Sequence, residues 1–320
     1  GATMTQTQGD TAARAAAVAV AAENRAASRD AAYCSGTRDV RLGNYSWDAG
    51  SNSWVKNWGA QPYNLVEITL KRNQPSSTVG DGPLDLFFAP VIGNSQANIE
   101  VVSKSALIPG SGVKITAGSN QTADVLPIAL DKNTWDAFMA GAAAPDVYRY
   151  NANGTVSSGA DGVREINIYP TGSQNLPPGN RGTVDFGSSN NSTADISRQI
   201  RYGLNANDLS YFGGKLSFDN GPLIINGDTG ISAGIKDDLD AIKGKPRLMP
   251  LFTSVSGPGN NAMYTIVKFV GIRIVYVKLT GAASSKVVIV QPAPFVADTV
   301  IASKETVTSD SYFVPGGLVP

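Results

Sequence analysis

Hydrophobic and polar positions alternate in short runs along much of the chain, and this pattern is typical of strands in antiparallel sheets. In NLVEITLKR (64–72), Val66, Ile68 and Leu70 alternate with Leu65, Glu67 and Thr69 like a half-buried strand. Strands are also predicted for RLGNYSW and SWVKNW, joined as a hairpin by DAGSN, and for ANIEVVSKSALI, LPIAL, REINIYP, RLMPLFTSV, MYTIVKFVGIRIVYVKLTG and KVVIVQPAPFVA. The chain is therefore rich in strands.

Helical signals are fewer. Alanine dominates Asp10–Ala32, which predicts a helix of about six turns capped by Asp10 or Thr11. Apolar residues of GPLDLFFAPVIG recur at helical spacing, which predicts a short buried helix that Pro90 kinks or ends. Two capped amphipathic helices are predicted for NSTADISRQIRYGL and DTGISAGIKDDLDAIKGKP, the second with Ile231, Ile235, Leu239 and Ile242 as its apolar stripe.

These elements predict an α+β architecture. An N-terminal alanine-rich helix packs on an antiparallel sheet in a pilin-like manner, and a second β-rich α/β unit follows. The expected domains are the helix (1–35), a β-rich domain (36–130), an insertion or linker (131–162) and a C-terminal α/β domain (163–320). No repeat of fixed period occurs.

Composition removes several classes of function. The 320 residues include no histidine and one cysteine, Cys34, and their formal net charge is zero. A chain without histidine has no Ser-His-Asp or Cys-His mechanism, and one cysteine excludes cysteine-clustered metal sites and internal disulfides. The neutral charge argues against nucleic acid and anionic lipid as partners. Charged residues make up 16%, below the roughly 25% usual in soluble domains, which suits an exported surface.

Two motifs with catalytic or metal-binding potential have simpler explanations. GISAG (230–234) matches the nucleophile elbow of α/β-hydrolases, but without histidine to activate Ser232 we interpret it as the first turn of a packed helix. Asp237, Asp238 and Asp240 could hold calcium, yet on a helix they form an ordinary solvated face beside Lys236. Neither phosphate-binding loops nor an EF-hand loop occurs. We therefore expect no catalytic, cofactor or metal residues.

The predicted hairpin is dense in aromatic residues. Tyr45, Trp47, Trp54 and Trp58 form either a small core or interface, which we favour, or an exposed platform that binds sugar. The second possibility keeps an adhesin or carbohydrate-binding module as an alternative.

The order of these segments resembles the bacterial TadE/TadG-like Flp pilus-assembly proteins, in particular a long variety. The resemblance rests on TAARAAAVAVAAENRA, VRLGNYSWD, NLVEITLKR, GPLDLFFAPVIG, PGNRGTVDFGSSNNSTADISRQIRYGL, NGDTGISAGIKDDLDAIKGKPRLMPLF, NNAMYTIVKFVGIRIVYVKLTG and KVVIVQPAP. It covers most of the chain outside 131–162.

The resemblance implies a structural role and no catalytic residues. Members of the family typically carry an N-terminal transmembrane helix before the point where this sequence starts, so it also implies an anchor removed by cleavage or left out of this chain. Some relatives bear a D-x-S-x-S ion site, but Asp195-Ile196-Ser197-Arg198 lacks the second serine, and that adhesion chemistry is not carried over.

We therefore predict a non-enzymatic bacterial protein of the cell envelope or extracellular space. It would assemble with itself, as a homo-oligomer or filament, and with Tad pilus proteins, and it would need no cofactor. The predicted contacts are the smooth face of the N-terminal helix and a β edge near 286–291. Their residues are Ala12, Ala16, Ala19, Val20, Ala27, Val287, Val288 and Val290. A third hypothesis, an exported carboxylate-dependent hydrolase, lacks an acid/base set.

Overall fold

The computed structural model describes residues 6–24, 31–169, 181–187, 192–228, 230–257 and 259–320. The helices in these ranges are α1 (Gln6–Ala22), α2 (Lys132–Met139), α3 (Thr193–Tyr202), α4 (Ala206–Ser210) and α5 (Lys236–Ala241). The strands are β1 (Val40–Asp48), β2 (Ser53–Trp58), β3 (Leu65–Arg72), β4 (Leu84–Asp85), β5 (Gln96–Ala97), β6 (Ile99–Lys114), β7 (Ile128–Asp131), β8 (Tyr148–Tyr150), β9 (Val156–Ser158), β10 (Ile166–Asn167), β11 (Arg181–Val184), β12 (Lys215–Ser217), β13 (Leu223–Asp228), β14 (Pro246–Ser256), β15 (Ala262–Lys278), β16 (Val287–Pro292), β17 (Val300–Ala302) and β18 (Phe313–Leu318). Short 3-10 turns span Ala89–Ile92, Ala233–Ile235, Gly259–Asn261 and Ala283–Ser285. The predicted α+β class is confirmed.

The chain divides into two compact units. The N-terminal unit comprises Met4–Ile108 and Gly316–Pro320, and the C-terminal unit comprises Pro109–Pro315. Strand β6 passes from the first unit into the second at residue 108. These units do not coincide with the four predicted ranges, whose limits remain a prediction.

In the N-terminal unit, an antiparallel sheet has the strand order β6-β3-β1-β2. Val40 of β1 faces Ile68 of β3, and Leu65 of β3 faces Ala106 of β6. Among the described strands, β2 pairs with β1 alone, so it forms an edge of the sheet. Successive side chains of a strand point to opposite faces, and the sheet thus has one apolar face and one that carries aromatic and charged side chains.

Helix α1 covers the apolar face of this sheet. Ala17 and Ala21 are buried in a cluster with Val40 and Leu42 of β1. Arg14 fixes the helix to the sheet, because its Nη1 donates to the carbonyl oxygens of Gly36 (2.8 Å) and Val40 (2.5 Å). The predicted helix packed on an antiparallel sheet is present. It ends at Ala22 rather than Ala32, and residues 25–30 lie outside the described ranges.

The buried helix predicted for GPLDLFFAPVIG is wrong. Leu84–Asp85 instead pairs with Gln96–Ala97 as a short hairpin, and Ala89–Ile92 forms a 3-10 turn between them. Proline has no N–H to donate, so Pro90 disfavours the regular helix that the spacing of Phe87 and Val91 suggests. Both side chains are exposed to solvent.

The C-terminal unit is built on a second sheet, with the order β10-β16-β15-β13-β11-β7-β14. Because β14 also pairs with β15, the strands from β15 to β14 close into a ring. Helices α2, α3 and α5 contribute side chains to one core cluster of this unit, including Trp135, Ile200 and Leu239. A second cluster contains Phe186, Tyr264 and Phe269. Trp135 is fully buried, so part of the predicted insertion at 131–162 contributes to the core.

The amphipathic helices predicted for this unit are present, and one is shorter than expected. Ser192 caps α3 by accepting the N–H of Asp195, and Gly203 ends the helix with φ 78°. α5 spans only Lys236–Ala241, after the 3-10 turn at Ala233–Ile235. The stripe predicted for it is buried throughout, at Ile231, Ile235, Leu239 and Ile242.

Candidate functional site

The GISAG string forms a structural turn. The hydroxyl of Ser232 accepts the N–H of Gly234 at 3.2 Å and caps the 3-10 turn that precedes α5. The residue is exposed to solvent, and the chain contains no histidine that could act as its base. The site therefore lacks the group that activates serine in a nucleophile elbow.

The acidic residues of α5 are engaged in ion pairs. Lys236 Nζ lies 2.7 Å from Asp240 and 3.4 Å from Asp237, and Arg201 pairs with Asp238. Asp237 is exposed and Asp240 is half-buried, as expected of a solvated helix face, whereas Asp238 is buried and does not belong to such a face. In the described ranges, no group of three or more His, Cys, Asp or Glu residues could hold a metal ion.

A buried carboxylate, Glu165, organises the loops around β8. It accepts the backbone N–H of Val147 and Tyr148 and the side-chain amide of Gln291. Burial raises the pKa of Glu165, and the three donors oppose that rise. Because these three hydrogen bonds all come from groups of the same chain, Glu165 holds the backbone at the start of β8 in place and has no evident reactive role.

Asp185 is the most strongly perturbed carboxyl group in the described ranges. Burial, together with the charges of Asp195 and Asp208, raises its pKa to about 6. Asp208 itself is bound by Arg198, whose Nη2 lies 2.6 Å from Oδ1 and whose Nη1 lies 3.0 Å from Oδ2. A perturbed pKa marks a candidate functional group, but no cluster of residues that could hold a metal ion accompanies it in the described residues.

The four aromatic residues singled out by the sequence lie on one face of the β1–β2 hairpin. Tyr45 stacks on Trp54 with ring centroids 5.0 Å apart, and Trp47 meets Trp54 edge to face at 5.6 Å. Trp58 faces Gly43 across the ladder, and the Arg41 guanidinium lies 4.5 Å from its ring centroid. A Cβ on Gly43 would approach Trp58 Cε3 to 3.1 Å, so glycine gives the indole room to cross the strand.

Three of these rings, Tyr45, Trp54 and Trp58, belong to a small core cluster. Tyr45 is only 7% exposed and clusters with Leu65 and Ala106, while Trp54 and Trp58 are half-buried against them. Val319 packs on the same cluster. Because the rings stack on each other, they do not present a flat, open platform of four aromatic faces.

The predicted interface on α1 is exposed where the structure describes it. Ala12, Ala16, Ala19 and Val20 all lie on the solvent side of the helix, and Val20 is 57% exposed. Ala27 lies outside the described residues. These side chains are free to contact another chain, which keeps this surface a prediction.

The predicted β edge at 286–291 needs correction. Val288 and Val290 are fully buried, and Val287 is half-buried. β16 pairs with β15 on one side, and β10 pairs with it through Ile166 and Val290. Neither Val288 nor Val290 can present its side chain to a partner, because both are buried. The apolar pattern of this segment indicates a core strand and not an edge.

Sequence reasoning missed an exposed apolar surface between β4 and β5, which we call the apolar tip (Phe87, Phe88, Pro90 and Val91). Phe87 is 88% exposed, Phe88 is 80% exposed and Val91 is 90% exposed. Exposed large apolar groups in a contiguous patch mark interaction sites more often than isolated ones do. The run LFFAPVI without a charged residue was the available signal, and its helical spacing suggested burial.

Hydrogen bonds hold the base of this hairpin. Leu86 N donates to Ser95 O at 2.9 Å, and Gln96 Nε2 donates to Asp85 Oδ1 at 2.9 Å. The preceding loop is fixed by Asp81, which is 1% exposed and lies 2.7 Å from Arg38 Nη1. Burial alone would raise the pKa of Asp81, but the hydrogen bonds from Ser77 and Arg38 outweigh it and leave the pKa below its ordinary value. These hydrogen bonds and the ion pair therefore hold the segments next to the apolar tip in place.

In the described ranges, no helix is both long enough and apolar enough to cross a membrane.

Comparison with curated proteins and with solved structures gives no significant match. A family model does match, over residues 1–103, and its description is "Putative Tad-like Flp pilus-assembly". The strings in 178–294 that carried much of the resemblance lie outside this match. Residues 1–103, about a third of the chain, therefore match the Tad-like Flp pilus-assembly family, which confirms the resemblance for that stretch.

Proposed function

We propose that this chain is a non-enzymatic component of Flp/Tad pilus assembly, located in the cell envelope or outside the cell. It acts through contacts with copies of itself or with pilus subunits. The observation that carries the proposal is the family match at residues 1–103.

The surface of the matched stretch supports this role. Of the 16 exposed large hydrophobic side chains in the described residues, nine fall within it: Val20, Tyr33, Val79, Phe87, Phe88, Val91, Ile99, Val101 and Val102. This third of the chain therefore holds more than half of the exposed apolar anchors. Such side chains supply binding energy when a partner covers them.

The pilin-like arrangement belongs to the same proposal. Helix α1 packs on the sheet through Ala17 and Ala21, and its opposite side carries the exposed small residues Ala12, Ala16 and Ala19. A helix surface of small side chains allows close approach of another backbone. We propose that this side contributes to subunit contacts.

The test is deletion of the gene in the source bacterium. We expect loss or thinning of pili in electron micrographs, restoration by the wild-type gene, and recovery of the protein in the envelope or pilus fraction. Unchanged pili together with a cytoplasmic protein would contradict the proposal.

The alternative, a carbohydrate-binding adhesin, depends on the aromatic cluster of the β1–β2 hairpin. Trp47, Trp54 and Trp58 keep part of their surface exposed. If the alternative holds, a glycan array detects binding that Trp54→Ala abolishes and that an exposed substitution such as Tyr211→Ala preserves.

A further inference from the structure

The N-terminal unit is completed by a segment that is distant in sequence. Residues 109–315 belong to the other unit, and the chain then comes back to the first with Gly316–Pro320, which we call the return strand. In the N-terminal unit, β6 pairs with β3 through residues 99–106, and β18, which includes residues 316–318, also pairs with β6. A strand edge offers unpaired N–H and C=O groups, and here the chain itself supplies what pairs with them.

Hydrogen bonds join the return strand to β6. Val319 N donates to Lys104 O at 3.0 Å, and Ser105 Oγ donates to Gly317 O at 3.1 Å. The second bond joins residues that lie 212 positions apart in the sequence. The return strand is therefore held through backbone groups that any extended strand of the same sequence could use.

One side chain anchors the return strand. Val319 is half-buried and packs on the aromatic cluster of the β1–β2 hairpin, whereas the other four residues are exposed, Leu318 to 83%. Lys56 Nζ adds a contact with the Pro320 carbonyl oxygen. The segment is thus seated mainly along its edge and by one apolar side chain, and most of its surface faces solvent.

We propose that the return strand exchanges between copies, so that residues 316–320 of one chain occupy in a second copy the place that they fill in their own chain. The inference rests on the proposed function and deepens it, since it names the contact through which copies assemble. The occupant follows from the structure, because this segment fills the place here and a second copy carries the same five residues. Each contact described above is then made between copies instead of within one.

The closed and exchanged forms differ in the connection before the return strand. Two glycines, Gly316 and Gly317, follow the point at which the chain leaves the other unit, and a Cβ on Gly317 would meet no atom within 4 Å. Glycine lets the backbone change direction at little steric cost. Because the seated contacts are the same in both forms, concentration decides between them through the entropy of association.

A reversible lock on the return strand tests the exchange. A Cβ on Gly316 would lie 3.2 Å from Ser105 Oγ, and Gly316 does not have the left-handed backbone that strains a side chain. The double variant Ser105→Cys/Gly316→Cys therefore brings two thiols within reach of a disulfide. When it is oxidised as a dilute monomer, we expect it to stay monomeric in sedimentation velocity at concentrations where the wild-type chain dimerises. Reduction with dithiothreitol should restore the dimer.

Mixed single-cysteine chains test which residues meet. Ser105→Cys in one copy and an affinity-tagged Gly316→Cys in another should form a covalent heterodimer after incubation together and treatment with diamide. The control mixture replaces Gly316→Cys by Ser51→Cys, in the exposed β1–β2 turn, and should give several-fold less heterodimer. The native Cys34 is buried and is present in both mixtures.

Neighbouring substitutions separate the two sides of the return strand. Val319→Asp places a charge against the aromatic cluster, so dimers should be lost. Leu318→Asp changes the exposed neighbour and should leave dimers at the wild-type level. Circular dichroism should show both variants folded like the wild type.

Four results would overturn the inference: a wild-type chain that stays monomeric at every concentration, dimers that persist in the oxidised lock, equal heterodimer in the two mixtures, or wild-type association of Val319→Asp. If gene deletion removes pili while Val319→Asp restores them fully, the inference fails and the proposed function stands. If deletion leaves pili intact, the proposed function fails whatever the sedimentation result.

Discussion

The carboxyl group of Asp185 links the protonation of this protein to its stability. The side chain is buried near two other aspartates, and its pKa is raised to about 6 from an ordinary value of 3.8. A raised pKa in the folded state means that the neutral carboxyl favours folding. That contribution is complete below pH 3.8 and is lost as the pH rises through 6.

We therefore predict that Asp185→Asn stabilises the protein at neutral pH. The variant should gain about 1–3 kcal/mol in the free energy of unfolding at pH 7.5, and close to nothing near pH 4, because the wild-type group is then mostly protonated. Urea unfolding at both pH values measures the difference. Asp237→Asn, on an exposed position, is the control and should change stability by less than about 0.5 kcal/mol. An equal gain at both pH values would contradict the prediction.

Helix α1 shows how an element can hide its packing face from sequence analysis. Alanine occupies both the buried positions 17 and 21 and the exposed positions 12, 16 and 19, so no periodic pattern separates the two sides. The structure separates them through Arg14, which joins the helix to β1. The predicted helix was correct in kind, but its packing face could not be predicted from the sequence.

The two sides of α1 predict opposite results for neighbouring substitutions. Ala17→Glu places a charge against Val40 and Leu42 and should lower the free energy of unfolding by about 2–4 kcal/mol. Ala16→Glu, one residue earlier on the exposed side, should stay within about 0.5 kcal/mol of the wild type. Thermal and urea unfolding measure both. Equal destabilisation would show that the helix packs differently.

The hairpin that carries the apolar tip shows the opposite failure. Leu84, Phe87, Phe88 and Val91 fit a helical stripe, so the sequence predicted burial. Pro90 and the Asp85–Gln96 pairing favour a hairpin instead, and Phe87, Phe88 and Val91 then lie in solvent. Local periodicity cannot distinguish a side chain buried by its own chain from one that a partner covers.

At the scale of the molecule, the longer strands of both units were largely predictable, because alternation and long apolar runs indicate them directly, whereas short strands such as β8, β9 and β12 were not predicted. The ring closed by β14 and β15 was not, since strand pairing depends on contacts distant in sequence. Trp135 was missed for the same reason. Its surrounding sequence gives only a weak helical signal, yet the residue is fully buried in the core.

The balance of charges predicts how association of the whole molecule responds to solution conditions. If copies associate through exposed apolar side chains, as proposed, that association should be little changed by 0.5 M sodium chloride and should strengthen in ammonium sulfate, because the formal net charge is zero. Sedimentation in each salt measures this. Dissociation by sodium chloride would instead indicate a contact made by ion pairs.

The edge strand β2 limits how copies of this chain could pair with each other. Lys56 lies in the middle of this six-residue strand, and its ammonium group contacts the Pro320 carbonyl oxygen. A lysine on a short edge strand opposes the continuous backbone ladder of an amyloid-like fibre, because stacked copies would bring like charges together. Any precipitate formed in concentrated protein should therefore redissolve on dilution, and it should not raise thioflavin T fluorescence.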